Sequence, residues 1–286
     1  MKTAGLGPVG VALNVSADNA HLAEAAELEA LGYSAVWLPG GDIDSLGRVG
    51  DLLAATTSVR VGTAVIPPDV YDADAVVTAY ARFERDHPGR FLAGFGSPQR
   101  ARQLALLGGY LDRLDAAEEP VPRRRRLLAA LGPRKLALAR DRGAGAVPLL
   151  VTPGYTAWAR RILGEEATLV VYQLAVGDTD AARARRTARK PTLRGLTGVG
   201  GYPENMRRMG FTAEQIATLD DALVDALIGW GDDAAIAARV GEHLEAGADH
   251  VVLGVLHDGD QPGPAELARG LAASGVLGEQ SPSGRQ

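Results

Sequence analysis

Two apolar runs end in residues suited to holding a flat or anionic ligand. They are Val61-Gly62-Thr63-Ala64-Val65-Ile66-Pro67-Pro68 and His87-Pro88-Gly89-Arg90-Phe91-Leu92-Ala93-Gly94-Phe95-Gly96-Ser97-Pro98. Both are β-rich, and both turn small or polar at their C-terminal ends. Small residues let a planar ring approach the backbone. Gly62 to Val65 offers such a surface, although a tightly packed strand interior has the same composition and is the commoner outcome. In Gly94-Phe95-Gly96-Ser97 the glycines permit close approach and the Ser97 amide or hydroxyl can bond a ligand's polar chain; a packing glycine in a buried strand is the bland alternative. A third run, Ala129-Ala130-Leu131-Gly132-Pro133-Arg134, opens a helix at about Pro133, because proline suits the first helical turn. Free amides at that end, with Arg134, make an anion site. The alternative is an ordinary turn with a solvated arginine.

Other chemistry-bearing residues are sparser. His257 follows the last apolar run, on the side where ligands would sit, and could be a general acid or base. A solvated loop histidine is the commoner outcome. With Asp258 and Asp260 it is also a weak metal candidate, but the spacing matches no zinc pattern, and no metal is expected. His21 and His243 fall in helices and read as surface residues. His87 braces the Pro88-Gly89 turn, and His250 starts a strand at the end of the fold that serves stability. In Pro39-Gly40-Gly41-Asp42-Ile43-Asp44 two carboxylates could move protons, but Asp44 reads better as a helix cap. The basic run Arg123–Arg126 reads as solvated surface. The sequence has no Gly-x-Ser-x-Gly, Walker loop or His-Glu-x-x-His.

The elements that must position these residues follow from periodicity. Apolar β-rich runs recur at Val9–Val15, Tyr33–Leu38, Arg60–Ile66, Arg90–Phe95, Leu127–Leu131, Ala146–Thr152, Thr168–Val176 and His250–Leu256. The fifth is Leu- and Ala-rich and reads equally as helix. Helical stretches lie between them, among them Asn19–Leu31 closed by Gly32 and Asp232–Ala246 closed by Gly247. Eight strands alternating with helices imply a parallel sheet. At this length they predict a closed (β/α)8 TIM barrel, an α/β fold, over an open doubly wound sheet. Strand C-termini are the ligand face of either. Residues 177–249 are too long for one crossover and read as a helical insertion on that face, a lid or an interface. A single barrel domain is expected over residues 1–277, with a disordered polar tail over 278–286.

Composition narrows the partners. The 286 residues carry a net charge of -5 and contain no cysteine, which removes disulfides and thiolate chemistry. The acidic balance disfavours nucleic acid and anionic membrane. No apolar run spans a bilayer, and the N-terminus lacks the regions of a signal peptide. A soluble cytoplasmic protein is the expectation.

Several phrases line up in order: Gly32-Tyr33-Ser34-Ala35-Val36-Trp37-Leu38-Pro39, Gly62-Thr63-Ala64-Val65, Pro88-Gly89-Arg90-Phe91-Leu92-Ala93-Gly94-Phe95-Gly96, and Leu128-Ala129-Ala130-Leu131-Gly132-Pro133-Arg134. Leu150-Val151-Thr152-Pro153, Asn205-Met206-Arg207-Arg208-Met209-Gly210-Phe211, Asp225-Ala226-Leu227-Ile228-Gly229-Trp230-Gly231-Asp232 and Ala246-Gly247-Ala248-Asp249-His250-Val251 follow. The chain resembles the luciferase-like monooxygenase superfamily, and within it the actinobacterial branch of probable F420-dependent oxidoreductases. The resemblance implies a (β/α)8 barrel with an insertion, commonly a homodimer, holding coenzyme F420 or FMN at the C-terminal mouth. It implies a non-prolyl cis peptide at Ala64-Val65 against the ring, Gly96 and Ser97 along the ring and ribityl chain, and Ala130, Leu131, Gly132 and Pro133 near the chain and phosphate. Gly40 and Gly41 stand where sugar-phosphate-oxidising relatives have an Asp-His pair. The segments after strands two and four are short for the family. Three functions follow: F420-dependent hydride transfer with a small organic substrate, an FMN-dependent monooxygenase using oxygen, or a non-catalytic barrel that has lost its cofactor. Val65, Trp37, Tyr155, Tyr172 and His257 are the candidates to line a substrate pocket.

Overall fold

Nine strands form one parallel sheet in the computed structural model, which describes residues 5–40, 43–97 and 102–277. They are β1 (Val9–Ala12), β2 (Ala35–Pro39), β3 (Arg60–Ala64), β4 (Phe91–Phe95), β5 (Arg126–Leu128), β6 (Gly145–Ala146), β7 (Thr168–Gly177), β8 (Ile228–Gly231) and β9 (His250–Val255). Eight of them close a ring. β1 to β7 pair in sequence order, apart from β8, and β9 completes the circle between β7 and β1. Helices cover the outside, so the α/β TIM barrel expected from the eight alternating units is the fold.

Alternation along each strand separates two cores. Val36, Leu38, Val61, Phe91, Phe95, Val171 and Leu253 point outward and pack under the helices. Ala35, Trp37, Leu92, Val170, Tyr172, Leu174 and Val252 fill the inside. Trp37 occupies much of the interior because Gly10 and Gly62 leave it room: a Cβ at Gly62 would fall within the indole's own volume. Its Nε1–H donates to His250 Nε2 (3.1 Å), and the other ring nitrogen of His250 lies 2.6 Å from the Gly7 carbonyl. The imidazole is therefore neutral with its proton on Nδ1. Burial pushes its pKa down to about 4, with the carbonyl partly opposing. His250 thus supports the barrel floor, as its place at a strand start implies.

The helix ends follow the local sequence. The helix Ala20–Ala30 stops before Gly32 (φ 109) and the helix Asp233–Glu245 before Gly247 (φ 100), the left-handed positions that favour glycine. Asp232 caps the second through Ala235 N (2.9 Å).

Several expectations are corrected. β6 spans two residues, not seven: Pro148 lacks an N–H for the ladder, and Leu150 turns to a left-handed φ of 57. Isolated bonds continue it, from Val147 N to Leu128 O and from Tyr172 N to Pro148 O (both 2.9 Å), with the Leu149–Tyr172 bridge. The insertion is not wholly helical. Its helices Ala181–Ala188, Pro191–Thr197, Tyr202–Arg208, Ala213–Thr218 and Asp221–Leu227 lead into β8, which pairs with the upper half of β7. Asp44 does not cap the helix Gly47–Ala55; it pairs with Arg48 (3.0 Å), while Ser45 Oγ accepts from Gly47 N. His21 and His243 are buried, not solvated. Arg126, at the end of the basic run, is also buried, because its guanidinium satisfies Asp115 (2.7 Å) and the Val121 carbonyl (2.6 Å). The polar tail from 278 onward lies outside the described residues. Among the described residues no helix is long and apolar enough to cross a membrane.

Candidate functional site

The three sequence-predicted segments end adjacent strands β3, β4 and β5, so the barrel brings them together on one side of its mouth. Backbone bonds continue past the strand ends and fix them there. Ile66 N donates to Gly94 O (2.7 Å), Gly96 N to Ile66 O (2.9 Å), and Ala129 N to Phe95 O (2.9 Å). The buried hydroxyl of Thr63 accepts from Gly94 N (2.9 Å) and locks β3 to β4 from inside.

Val65 is the centre of this wall. The Ala64–Val65 peptide is cis, as the resemblance implies. The Val65 side chain sits between Gly94 of β4 and Gly96 just beyond that strand. A Cβ on Gly94 would come 3.4 Å from Val65 Cγ1, and one on Gly96 3.0 Å from Cγ2. From the other side β2 delivers Gly40, whose Cβ would lie well under 3.0 Å from the Val65 carbonyl oxygen. No side chain fits at Gly40 while Val65 holds this position. Gly41, Asp42 and Pro98 lie outside the described residues. Ala64 and Val65 are partly exposed, Gly96 is buried and Ser97 intermediate.

Beside them the chain turns from β5 into the helix Pro133–Arg142. Gly132 precedes it, in extended backbone (φ -93, ψ 161), and no side chain caps the end. A Cβ on Gly132 would meet nothing within 4 Å, so this end faces open space. Pro133 and Arg134 are exposed. Lys135, which no local sequence motif marks, reaches Gln103 Oε1 (3.0 Å) at the start of the helix Gln103–Ala116. Burial pulls its pKa down. The donor set is helix-end amides with one half-buried and one exposed cation, which suits a phosphate or carboxylate. An apolar backstop with a neighbouring anion end fits a ring-and-phosphate cofactor.

The five pocket candidates separate. Val65 lines the mouth. Trp37 fills the barrel floor, and Tyr172 packs inside against Gly254. Tyr155 is buried behind the β5 turn, its hydroxyl on the Leu131 carbonyl (2.8 Å) and the Ala130 carbonyl (3.2 Å). His257 is exposed beyond β9, and Lys190 Nζ donates to its carbonyl oxygen (3.1 Å). Asp258 pairs with Lys190 (3.3 Å) and Asp260 with Arg183 (3.9 Å), so these carboxylates face cations. Among the described residues no group of three His, Asp or Glu is placed to hold a metal. The carboxylate that is buried here is Asp178, at the end of β7. Arg183 and Gln261 Nε2 (2.6 Å) hold it, and the Arg183 guanidinium keeps its carboxyl far below the usual range. It ties the loop after β9 to the insertion.

Residues 9–126 match the luciferase-like monooxygenase family. The match runs from β1 to the start of β5 and includes the Val65 wall, and the luciferase-like resemblance is borne out. No curated protein matches by sequence. Solved structures match in fold. An F420-dependent secondary alcohol dehydrogenase in complex with an F420-acetone adduct is 14% identical, covering 89% of this chain and 94% of that one, with a TM-score of 0.70. The coenzyme F420-dependent tetrahydromethanopterin reductase of Methanopyrus kandleri is 14% identical over 94% and 97% of the chains, with a TM-score of 0.64. The oxygenating constituent of 3,6-diketocamphane monooxygenase of Pseudomonas putida, in complex with FMN, is 10% identical over 87% and 92%, with a TM-score of 0.65. The barrel is thus shared with F420-dependent and FMN-bound proteins, and at these identities the likeness is one of fold.

Proposed function

We propose that this luciferase-like barrel is an oxidoreductase that binds coenzyme F420 at its mouth and moves hydride between it and a small organic substrate. The observation that carries the reading is the convergence of three strand ends. Val65, seated between Gly94 and Gly96, backs a planar ring, and the uncapped helix end at Gly132–Pro133 lies beside it for the anionic part. The preference for F420 over FMN rests on the branch resemblance. When bound, the deazaflavin supplies the redox chemistry. The protein's own residues bind and orient. Ala64 and Val65 set the height of the ring, Gly96 and Ser97 border it, Ala130, Leu131, Gly132 and Pro133 follow its chain, and Arg134 adds positive charge. With the reading go a single barrel domain, a homodimer and a cytoplasmic location.

Titration of the purified protein with F420, reduced F420, FMN and reduced FMN, followed by fluorescence, tests it. Micromolar binding of F420 with weaker binding of FMN is expected. The reverse order, with oxygen uptake that depends on reduced FMN, would replace the reading with a monooxygenase. Binding of neither would leave a barrel without a cofactor.

A further inference from the structure

A phenol hydroxyl in a protein core needs one acceptor, and Tyr155 meets two. Its O–H lies 2.8 Å from Leu131 O and 3.2 Å from Ala130 O, consecutive carbonyls of the turn after β5. Those carbonyls fall just outside the helix that follows, whose backbone bond nearest the turn runs from Leu136 N to Gly132 O (3.0 Å). Buried carbonyls without a donor are costly, and Tyr155 supplies one from a neighbouring βα unit. The tyrosine is itself fixed. It is 4% exposed, and its backbone N–H donates to the capping hydroxyl of Thr152 (3.2 Å). Its ring packs against Trp158 at 5.2 Å between centroids. Across Trp158 lies the guanidinium of Arg208, 5.5 Å from that ring, on the insertion helix Tyr202–Arg208. A rigid path therefore runs from the insertion to the turn and ends in a single hydroxyl.

We infer that Tyr155 is a positioning residue: by bridging the Ala130 and Leu131 carbonyls it holds the turn so that the helix-end amides of Arg134 and Lys135 meet the cofactor's phosphate. The inference rests on the cofactor reading above and adds a residue that touches neither cofactor nor substrate. A tyrosine with a merely structural role would also be buried and bonded. What separates the two is selectivity, because the turn is assigned to the phosphate while Val65 and Gly96 are assigned to the ring.

The test compares Tyr155→Phe with wild type on two matched pairs of probes: F420 against its phosphate-free deazaflavin core, and FMN against riboflavin. The variant keeps the ring packing and loses the bridge. About fivefold weaker binding of the phosphorylated probe is expected, the size of one lost hydrogen bond, with the phosphate-free probe unchanged. Tyr33→Phe is the control. It removes a buried hydroxyl that has no partner among the described residues, and the ratio should stay at the wild-type value. A Tyr155→Phe protein that binds both members of a pair equally less well, or neither less well, overturns the positioning role. Wild-type protein that binds none of the four probes defeats the cofactor reading itself, a different result. Thermal unfolding of each variant establishes that the compared proteins are folded.

Discussion

At the scale of single residues, the candidate site depends on places where a side chain is missing. Gly40 and Gly94 face backbone carbonyls, those of Val65 and Thr63, at distances that leave no room for a methyl group. Gly132 faces open space in a backbone conformation any residue adopts. The three glycines therefore predict different outcomes on substitution by alanine. Gly40→Ala must displace Val65 and Gly94→Ala must displace Thr63, on the strand that carries it; each should cost about 1–3 kcal/mol of stability, as overpacked sites do, and weaken cofactor binding. Gly132→Ala should stay within about 0.5 kcal/mol of wild type. Urea unfolding of the three variants measures the contrast; equal stability for all three would show that the backbone from Thr63 to Val65 yields freely and is no fixed backstop. Sequence made these glycines visible but not their partners. Gly94 and Gly96 were legible as small residues at a strand end. That the side chain they make room for is Val65, contributed by the neighbouring strand, is a tertiary fact that no local pattern holds.

At the scale of elements, the strands were legible because each is buried on both faces and reads as a continuous apolar run. The shortfall of β6 had one marker, Pro148, which has no N–H to give to a ladder; the apolar run Val147–Val151 around it otherwise reads as strand, and the left-handed turn at Leu150 has no glycine to mark it. β8 was hidden in the same way: Ile228-Gly229-Trp230-Gly231 follows a helix directly, and only pairing with β7 makes it a strand. The buried histidines are the clearest case of context overriding local pattern. His243 lies in an amphipathic helix, yet it is fully buried, with Nδ1 2.8 Å from Thr156 Oγ1 and Nε2 2.7 Å from Gln173 Oε1. Gln173 in turn donates to Leu227 O (2.9 Å), immediately before β8. The helix, β7 and the insertion strand meet in this one network. Burial, with Arg239's charge nearby, pushes His243's pKa down to about 3, and His250 falls to about 4. Both lie below the ordinary value near 6.5, so between them and 6.5 the unfolded chain binds protons that the folded chain does not. Stability is full above about pH 6.5 and falls as the pH drops toward 4. At pH 5 the loss is about 2 kcal/mol for each histidine. Glu29 acts lower. Burial raises its pKa, but the Thr57 amide, the Ser58 hydroxyl and amide, and the Val59 amide outweigh that and leave it at about 2, so its contribution begins to fade only below about pH 4.5. Urea unfolding at pH 7.5 and pH 5.0 should show the wild-type loss, and His243→Asn should show about 2 kcal/mol less of it. An unchanged difference between the two pH values would mean that His243 titrates normally in the folded protein.

At the scale of the whole molecule, the insertion and the barrel share a core. Trp37, Leu92, Val170 and Leu174 inside the barrel belong to the same buried cluster as Leu193, Met206, Leu223, Val224 and Leu227 of the insertion, and Ala64 and Val65 pack against it. The loop after β9 is tied to the same region, through Gln261 on Asp178 and Thr187 Oγ1 on Gln261 Oε1 (3.0 Å). A segment that shares its apolar core with the barrel has no separate reason to melt first, so the two should unfold in one transition. A cofactor bound against Val65 then stabilises everything at once, because binding to the native state alone adds RT ln(1 + [L]/Kd). At one hundred times its dissociation constant the favoured cofactor contributes about 2.7 kcal/mol. At roughly 2 °C per kcal/mol for a chain of this size, the single transition should rise by about 5 °C. Scanning calorimetry with F420 and with FMN at matched multiples of their dissociation constants makes the measurement. Two separate transitions, of which only one moves with ligand, would show the insertion to be an independent unit. The path from Arg208 through Trp158 to Tyr155 would then be packing that carries no coupling between the insertion and the mouth.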